Sequence, residues 1–502
     1  MNHALFIYNA AILDESLDGP GAVLIVEGKI RSVFQGYFTG AETVKSLAAA
    51  ILAEDGYENN YTISYLDAKG LTVTPAFIDM HVHFRDPGFT QKEDLLSGLR
   101  AASAGGYGTV VTMPNTKPVI SSAEQALEVN RRAAEIGLGT VIQSVSITRD
   151  FAGTDTAHLD ELDRHSVPLI TEDGHDVASS AVMLEAMTKA SEKGIIVSCH
   201  SEDCSLAAAA RPHRERALEI MRQYSLPAWG GNSEAEDVPE EALEEIEDEI
   251  AEANALLALA ENVATSRNIE IARQAGCHVH ICHISTAEAI DSVRDAKEFL
   301  RDEAADFYAD MAVSAYDASL ESRPFVPLPP AENGFSVTCE ATPHHIALCG
   351  TDEPYICAFV NPPLRTEEDR IVLLEAIRDG TVDVIATDHA PHTLEDKANG
   401  APGFTGIETA YGICNSVLVK EGQISAKRLS QLMSANPARI LGLNKGLLKS
   451  GYDADIALVD PDERWTVDSG EFFSKGKASP FDGSILTGKV KALFTAGRKI
   501  FG

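Results

Sequence analysis

Two histidines one residue apart, followed by an arginine at the same spacing, form the stretch His81-Val82-His83-Phe84-Arg85. In an extended strand alternate side chains share a face, so His81, His83 and Arg85 point one way. Imidazoles paired on one face suit zinc and similar ions. Four more stretches carry side chains of the same kind: Thr171-Glu172-Asp173-Gly174, Ser198-Cys199-His200-Ser201-Glu202, His278-Val279-His280-Ile281-Cys282-His283 and Thr387-Asp388-His389-Ala390-Pro391-His392. Four histidines and two carboxylates exceed what one tetrahedral zinc needs, which leaves room for two ions. Such ions lower the pKa of water to about 7 and polarise a carbonyl oxygen, and both effects serve amide hydrolysis. Asp388, at the edge of the cluster, can take a proton and deliver it to a leaving nitrogen. The planar guanidinium of Arg85 suits a carboxylate, so the expected substrate is a small anion.

These stretches need a scaffold that gathers several strand ends. Apolar, strand-like runs lie at Leu71–Ile78, Gly108–Pro114, Thr140–Ile147, Pro168–Ile170, Ile195–Cys199, His278–Ile284, Ser336–Cys339 and Val382–Ala386. Helical patterns lie between them, such as Glu93–Ala104, Ala123–Ile136 and Val182–Lys193. Eight β/α units predict an α/β fold, a closed (β/α)8 TIM-type barrel whose chemistry sits at the C-terminal strand ends. A doubly wound open sheet is the weaker reading, because no Gly-x-Gly-x-x-Gly follows any of these runs. Both chain ends read as short strands and turns. Residues 1–73 and 447–502 are therefore expected to pair into one small β-rich domain beside a barrel of residues 74–446.

Two segments exceed a plain barrel. Residues 234–252 hold eleven Asp or Glu and no Lys or Arg. They are expected to fold outward as a solvated helix or a subunit contact, since an acidic lid would repel an anionic substrate. Residues 301–333 precede the seventh strand and are expected on the barrel's N-terminal face. Not every histidine belongs to the cluster. His3, His158, His165 and His213 are expected in solvent, and His278 and His280 in structural or rim positions. His389 should face away from Asp388's side, and His344 and His345 should pack in a loop after Pro343.

The 502 residues are 44% hydrophobic and 23% charged, a globular composition, and the formal net charge of −35 disfavours nucleic acid and anionic membranes as partners. No run of about 18 apolar residues is present to span a membrane. The start, MNHALFIYNAAILDES, lacks the basic region of a signal peptide. Eight cysteines without a Cys-x-x-Cys pair argue for buried free thiols in a cytoplasmic protein.

The stretch Asp79–Gly88 (DMHVHFRDPG), followed by Met113-Pro114-Asn115-Thr116, resembles the dihydroorotases of the amidohydrolase superfamily. So do Asn361-Pro362-Pro363-Leu364-Arg365, Ala386–His392 (ATDHAPH) and Ala435–Ile440 (ANPARI). The resemblance runs from about residue 4 to the C-terminus and is broken by the two extra segments. It implies a metal-bearing barrel, a composite β-domain and reversible cyclisation of N-carbamoyl-L-aspartate to dihydroorotate in pyrimidine synthesis. Carried over by motif, the metal ligands would be His81, His83, Asp173, His200, His283 and Asp388, holding one or two Zn2+, with two favoured. Substrate contacts would be His83, Arg85, Asn115, Asn361 and His392, with Pro402 and Gly403 closing the site. Similar enzymes often read Asp-Asp-Gly where this chain has Glu172-Asp173-Gly174, which leaves Glu172 behind the ligands or at the surface. A homo-oligomer is expected, and the sequence leaves a complex with aspartate carbamoyltransferase open.

Two other readings compete. Dihydropyrimidinases (hydantoinases) and allantoinases share the histidine pair but commonly bridge their metals with a carbamylated lysine. Between Lys117 and Lys189 this chain has no lysine, so Asp173 fills that place. An inactive partner of a carbamoyltransferase would be expected to have lost ligands, whereas all six matched positions keep ligand-type side chains.

Overall fold

The computed structural model describes residues 2–54, 61–224, 226, 238–310, 327–350 and 360–502. Its barrel strands are Phe77–Val82, Tyr107–Thr112, Thr140–Gln143 continued by Val145–Ser146, Leu169–Thr171, Ile196–Cys199, His278–Ile281, Ser336–Ala341 and Val384–Ile385. All neighbouring pairs are parallel and follow chain order. The ring closes between the first and eighth strands, where Val82 bridges His389 and the His83 amide donates to the His389 carbonyl at 2.8 Å. Asp79 stitches the same seam. Its carboxylate accepts from the Thr387 amide (3.0 Å), the Thr387 hydroxyl (2.6 Å) and the His81 amide (3.1 Å). A buried carboxylate needs such partners, and burial still pushes Asp79 up to about 7.

Helices lie outside the ring where the 3.6-residue pattern places them. Leu95–Ala104 starts at an Asp94 capping box, Ala123–Ile136 at Ser122 and Ser180–Lys193 at Ser179. The third unit differs from the expected β/α pattern. Its strand is followed only by the 3-10 turns Arg149–Phe151 and Ala157–Glu161, because the polar, Gly153-containing stretch lacks a helical apolar stripe. These turns bury His158, expected in solvent, against the Ser146 carbonyl at 2.9 Å.

The run Leu71–Ile78, expected as one strand, divides. Phe77–Val82 enters the barrel, whereas Thr72–Pro75 pairs with Ile456–Val459. That short strand joins the two chain ends into one sheet, in the order Arg498–Phe501, Ile485–Thr495, Ile456–Thr466, Thr72–Pro75, Asn2–Leu13, Asp18–Val26, Lys29–Gln35. Tyr61–Asp67 adds an eighth strand beside Asn2–Leu13. A helix, Ala41–Glu54, interrupts what reads in sequence as strands and turns. Val44, Ala48 and Leu52 recur every fourth residue and bury against Phe6 and Leu24, so packing selects a helix in this alanine-rich stretch.

The acidic segment is the main departure. Glu240–Ala275 is one helix of 36 residues. Ala242, Ile246 and Ile250 form an apolar stripe between the glutamates. They bury against Leu218 and Met221 of the helix Cys204–Gln223 and against Val360, Leu364 and Phe404. Only the charged face looks outward, where Glu245 pairs with Arg216 (2.7 Å) and Glu249 with His213 (2.6 Å). Of the expected outward-folding solvated helix or subunit contact, the helix and its outward acidic face are seen, but its apolar stripe at four-residue spacing docks on the helix Cys204–Gln223 and on Val360, Leu364 and Phe404. Glu234, Glu236 and Asp237 lie outside the described residues. So do residues 311–326 of the second extra segment. Its described end returns beside the foot of this helix, with the Asn333 amide donating to the Arg273 carbonyl at 2.9 Å. Of the cysteines, Cys204 is exposed, Cys357 lies outside the described residues, and the other six are buried free thiols.

Candidate metal centre and substrate pocket

The strand ends converge on one carboxylate. Asp173 Oδ1 lies 3.2 Å from His81 Nε2, 3.4 Å from His200 Nδ1 and 3.8 Å from His283 Nε2. Its Oδ2 lies 3.4 Å from His83 Nε2. Asp388 Oδ1 closes the far side at 3.1 Å from His83 Nε2 and 3.6 Å from His81 Nε2. All six side chains named from the motifs are buried. The backbone turns sharply beside them: Arg85 (φ 57°), His283 (φ 30°) and Asp388 (φ 47°) adopt left-handed conformations uncommon for non-glycine residues.

The donor set fits metal ions. His81 Nε2, Asp173 Oδ1 and His283 Nδ1 are buried atoms without a hydrogen-bond partner among the described residues. His200 Nδ1 and His283 Nε2 face each other at 3.0 Å beside the Asp173 carboxylate. Lone pairs and a negative charge gathered this closely call for cations between them. Burial works against charge at Asp173, but the surrounding histidines hold its carboxyl well below the usual range. Three groups among the described residues bring ligand atoms within 4.8 Å of one another: His81, His83 and Asp388; His81, Asp173 and His283; and, on the Glu340 side of His81, His81, Cys282 and Glu340.

Other groups set the tautomers of the ligands. Glu340 Oε1 accepts from His81 Nδ1 at 2.7 Å, leaving Nε2 turned to the centre, and Glu340 Oε2 accepts from His280 at 3.0 Å. Sequence reasoning missed Glu340. Its signal was an acidic residue inside the apolar run Ser336–Ala341, where a buried charge must have a partner. Asn115 does the same for His83: its Oδ1 lies 3.1 Å from His83 Nδ1, while its amide donates to Asp173 Oδ2 at 3.3 Å. Replacing Glu340 with glutamine is expected to weaken metal affinity about 10- to 100-fold, measured by chelator competition; an unchanged affinity would remove Glu340 from ligand orientation.

Beside the centre lies a cationic pocket. His392 Nε2 donates to the Pro402 carbonyl at 2.9 Å, and its Nδ1 faces Lys92 Nζ at 3.3 Å. Burial, with the charges of Arg85, Lys92 and Lys397, pushes His392 down to about 2, so the ring is neutral at pH 7. Arg85 Nη2 approaches His392 Nε2 at 3.2 Å. That nitrogen's proton already serves Pro402, so it offers Arg85 no lone pair. Arg85 Nε is likewise buried without a partner among the described residues. A partly buried guanidinium with donors still available has the geometry to take a carboxylate. Asn361 sits across the pocket, its amide 3.5 Å from His200 Nε2 and donating to Glu202 at 2.6 Å, and Arg214 steadies it at 3.3 Å.

The remaining candidates fall elsewhere. Glu172 points away from the centre and accepts from the Thr148 amide at 2.8 Å. His389 faces Glu93, 3.5 Å away. His344 and His345, expected in a loop, begin the short buried helix Pro343–Ala347, where His345 bonds Thr342 at 2.7 Å. Arg365 is engaged by Glu261 at 2.9 Å and braces a loop from behind. Among the described residues no helix is long and apolar enough to cross a membrane.

Comparison with known proteins adds three findings. Residues 72–500 match the model of the amidohydrolase family. A dihydroorotase of Clostridium botulinum (strain Eklund 17B / Type B) is 36% identical, covering 98% of this chain and 98% of its own, and one of Bacillus subtilis (strain 168) is 35% identical over 86% and 88%. The L-hydantoinase (dihydropyrimidinase) of Arthrobacter aurescens shares the fold with a TM-score of 0.74 at 21% identity, covering 100% of this chain and 96% of that one.

Proposed function

Because this chain belongs to the amidohydrolase family, we propose that it is a dihydroorotase, a metal-dependent cyclic amide hydrolase that interconverts N-carbamoyl-L-aspartate and (S)-dihydroorotate. The observation that carries this reading is the adjacency of a six-ligand centre on Asp173 and a partly buried guanidinium, Arg85, with donors left for a carboxylate. Full-length relatives of the same activity support it.

In this reading the metal is zinc. His81, His83, Asp388 and Asp173 would hold one ion, and His200, His283 and Asp173 a second. Zinc, when bound, supplies Lewis-acid polarisation of the ring carbonyl and acidifies water. The chain's own residues do the rest. Arg85 binds the substrate carboxylate, with His392 and the Pro402–Gly403 backbone framing it. Asn361 reads an amide edge of the ring. Water adds to the ring amide carbonyl as Asp388 takes its proton. The carbon–nitrogen bond then breaks, and Asp388 delivers that proton to the departing nitrogen. Burial opposes ionisation of Asp388, yet the His83 contact keeps its carboxyl below the usual carboxylate range, so it meets the substrate ready to accept. The reverse order of events closes the ring.

The direct test is turnover of dihydroorotate by the zinc-loaded chain, with metal content measured on the same sample. No turnover at full loading would overturn the assignment. Arg85→Lys keeps the charge and loses the fork. Charge-assisted bonds worth roughly 1.5–3 kcal/mol are at stake, so kcat/KM is expected to fall about tenfold to a hundredfold. Dihydrouracil, which lacks the carboxylate, should be a poor substrate of the unaltered enzyme. Equal turnover of dihydrouracil and dihydroorotate would favour a dihydropyrimidinase instead.

A further inference from the structure

Lys397 has no exposed surface, although lysine is among the residues least often buried. It lies in the helix Leu394–Ala398, just after His392. Burial pushes its amino group down to about 7, and the nitrogen donates to the carbonyls of Ala401 and Gly403, each at 2.8 Å. These carbonyls flank Pro402, whose own carbonyl accepts from His392 Nε2 at 2.9 Å. The same nitrogen also lies 5.2 Å from the centre of the Phe404 ring, within cation–π range.

The same loop is pinned from its other side. Gly403 has φ 127°, and a Cβ there would come within 2.6 Å of the Ala390 Cβ and 2.8 Å of the Ala390 carbonyl. The Ala390 amide donates to the Phe404 carbonyl at 2.9 Å, which docks the loop on the chain leaving the eighth strand. Residues 401–404 are thus held between Ala390 and Lys397. The carbonyls that meet Lys397 point inward, where an apolar side chain would leave them without donors.

We propose that Lys397 is a positioning residue for substrate recognition: by tying the Ala401 and Gly403 carbonyls it sets Pro402 against His392 and so shapes the carboxylate pocket beside Arg85. The role rests on the dihydroorotase reading of that pocket. Among the described residues the bonds of Lys397 go to the 401–404 loop and not to the six ligands, so its loss acts on binding of the substrate and leaves the chemical step largely alone.

The test compares Lys397→Met with the unaltered, zinc-loaded full chain. Hydrogen exchange of the backbone amides within 400–405, followed without substrate, is expected to accelerate about tenfold or more, with metal content unchanged. For dihydroorotate, KM should rise about tenfold while kcat stays within about threefold. A merely structural role would lower both together or neither. Unchanged exchange in 400–405 overturns the proposal, and so does a fall in kcat at constant KM. Should the methionine variant fail to fold, Lys397→Gln, which keeps one donor, is read by the same measurements and should show a smaller change of the same kind. If the unaltered enzyme did not turn over dihydroorotate, the functional reading would fall by itself, while the exchange measurement would still judge the loop tie.

Discussion

Replacing His81 or His83 with alanine is expected to release metal and to abolish turnover. Both imidazoles are buried at the end of the first strand, and each faces Asp173 and Asp388 through Nε2. Their partners cannot move in to compensate. Asp388 leaves a left-handed turn, and Asp173 already faces His200 and His283. Metal-ion catalysis of this kind contributes several kcal/mol to the transition state, so its loss should lower kcat about a thousandfold or more. Elemental analysis of the purified, folded variants gives the metal content, and full loading with a normal rate would overturn the ligand assignment. The structure adds an expected contrast: His280→Ala, at the outer oxygen of Glu340, should cost far less metal than His81→Ala.

Asp388→Asn is expected to separate metal binding from chemistry. An amide oxygen can still lie near His83 and His81, so much of the metal should stay. An amide cannot accept and return a proton, and general acid–base catalysis contributes about 10²- to 10⁴-fold. The loss should therefore appear in kcat, with KM changed little. A near-normal rate in the metal-loaded variant would remove Asp388 from proton transfer. A loss of metal equal to that of His81→Ala would show instead that it acts mainly as a ligand.

Much of this site was legible before any fold was known, because its signals are local. Apolar runs alternating with helical patterns announce a parallel barrel, and the His81-x-His83-x-Arg85 spacing marks the end of its first strand, although that strand stops at Val82 and a left-handed turn at Arg85, not strand alternation, carries the chain on past His83. The misread parts share another character. In Ala41–Glu54 and Glu240–Ala275 the apolar stripes, Val44, Ala48 and Leu52 in one and Ala242, Ile246 and Ile250 in the other, are spread thinly among other residues, and a neighbouring surface decides whether they are buried. His158 reads as a loop histidine until the turns around it are folded onto Ser146.

The sequence by itself determined the chemistry on offer: four histidines, two carboxylates and an arginine placed where strands end, in a chain long enough for eight β/α units. Tertiary structure decided which groups meet. Glu340 stands 259 residues from His81 and orients it. Glu172, next to Asp173, points away from the centre and bonds Thr148. Lys397 lies under a loop that composition alone would leave open to water. The reason is the same in each case. Burial makes a charge or polar group seek whatever partner the fold brings near, and that partner is set by the closure of the barrel, not by neighbours along the chain.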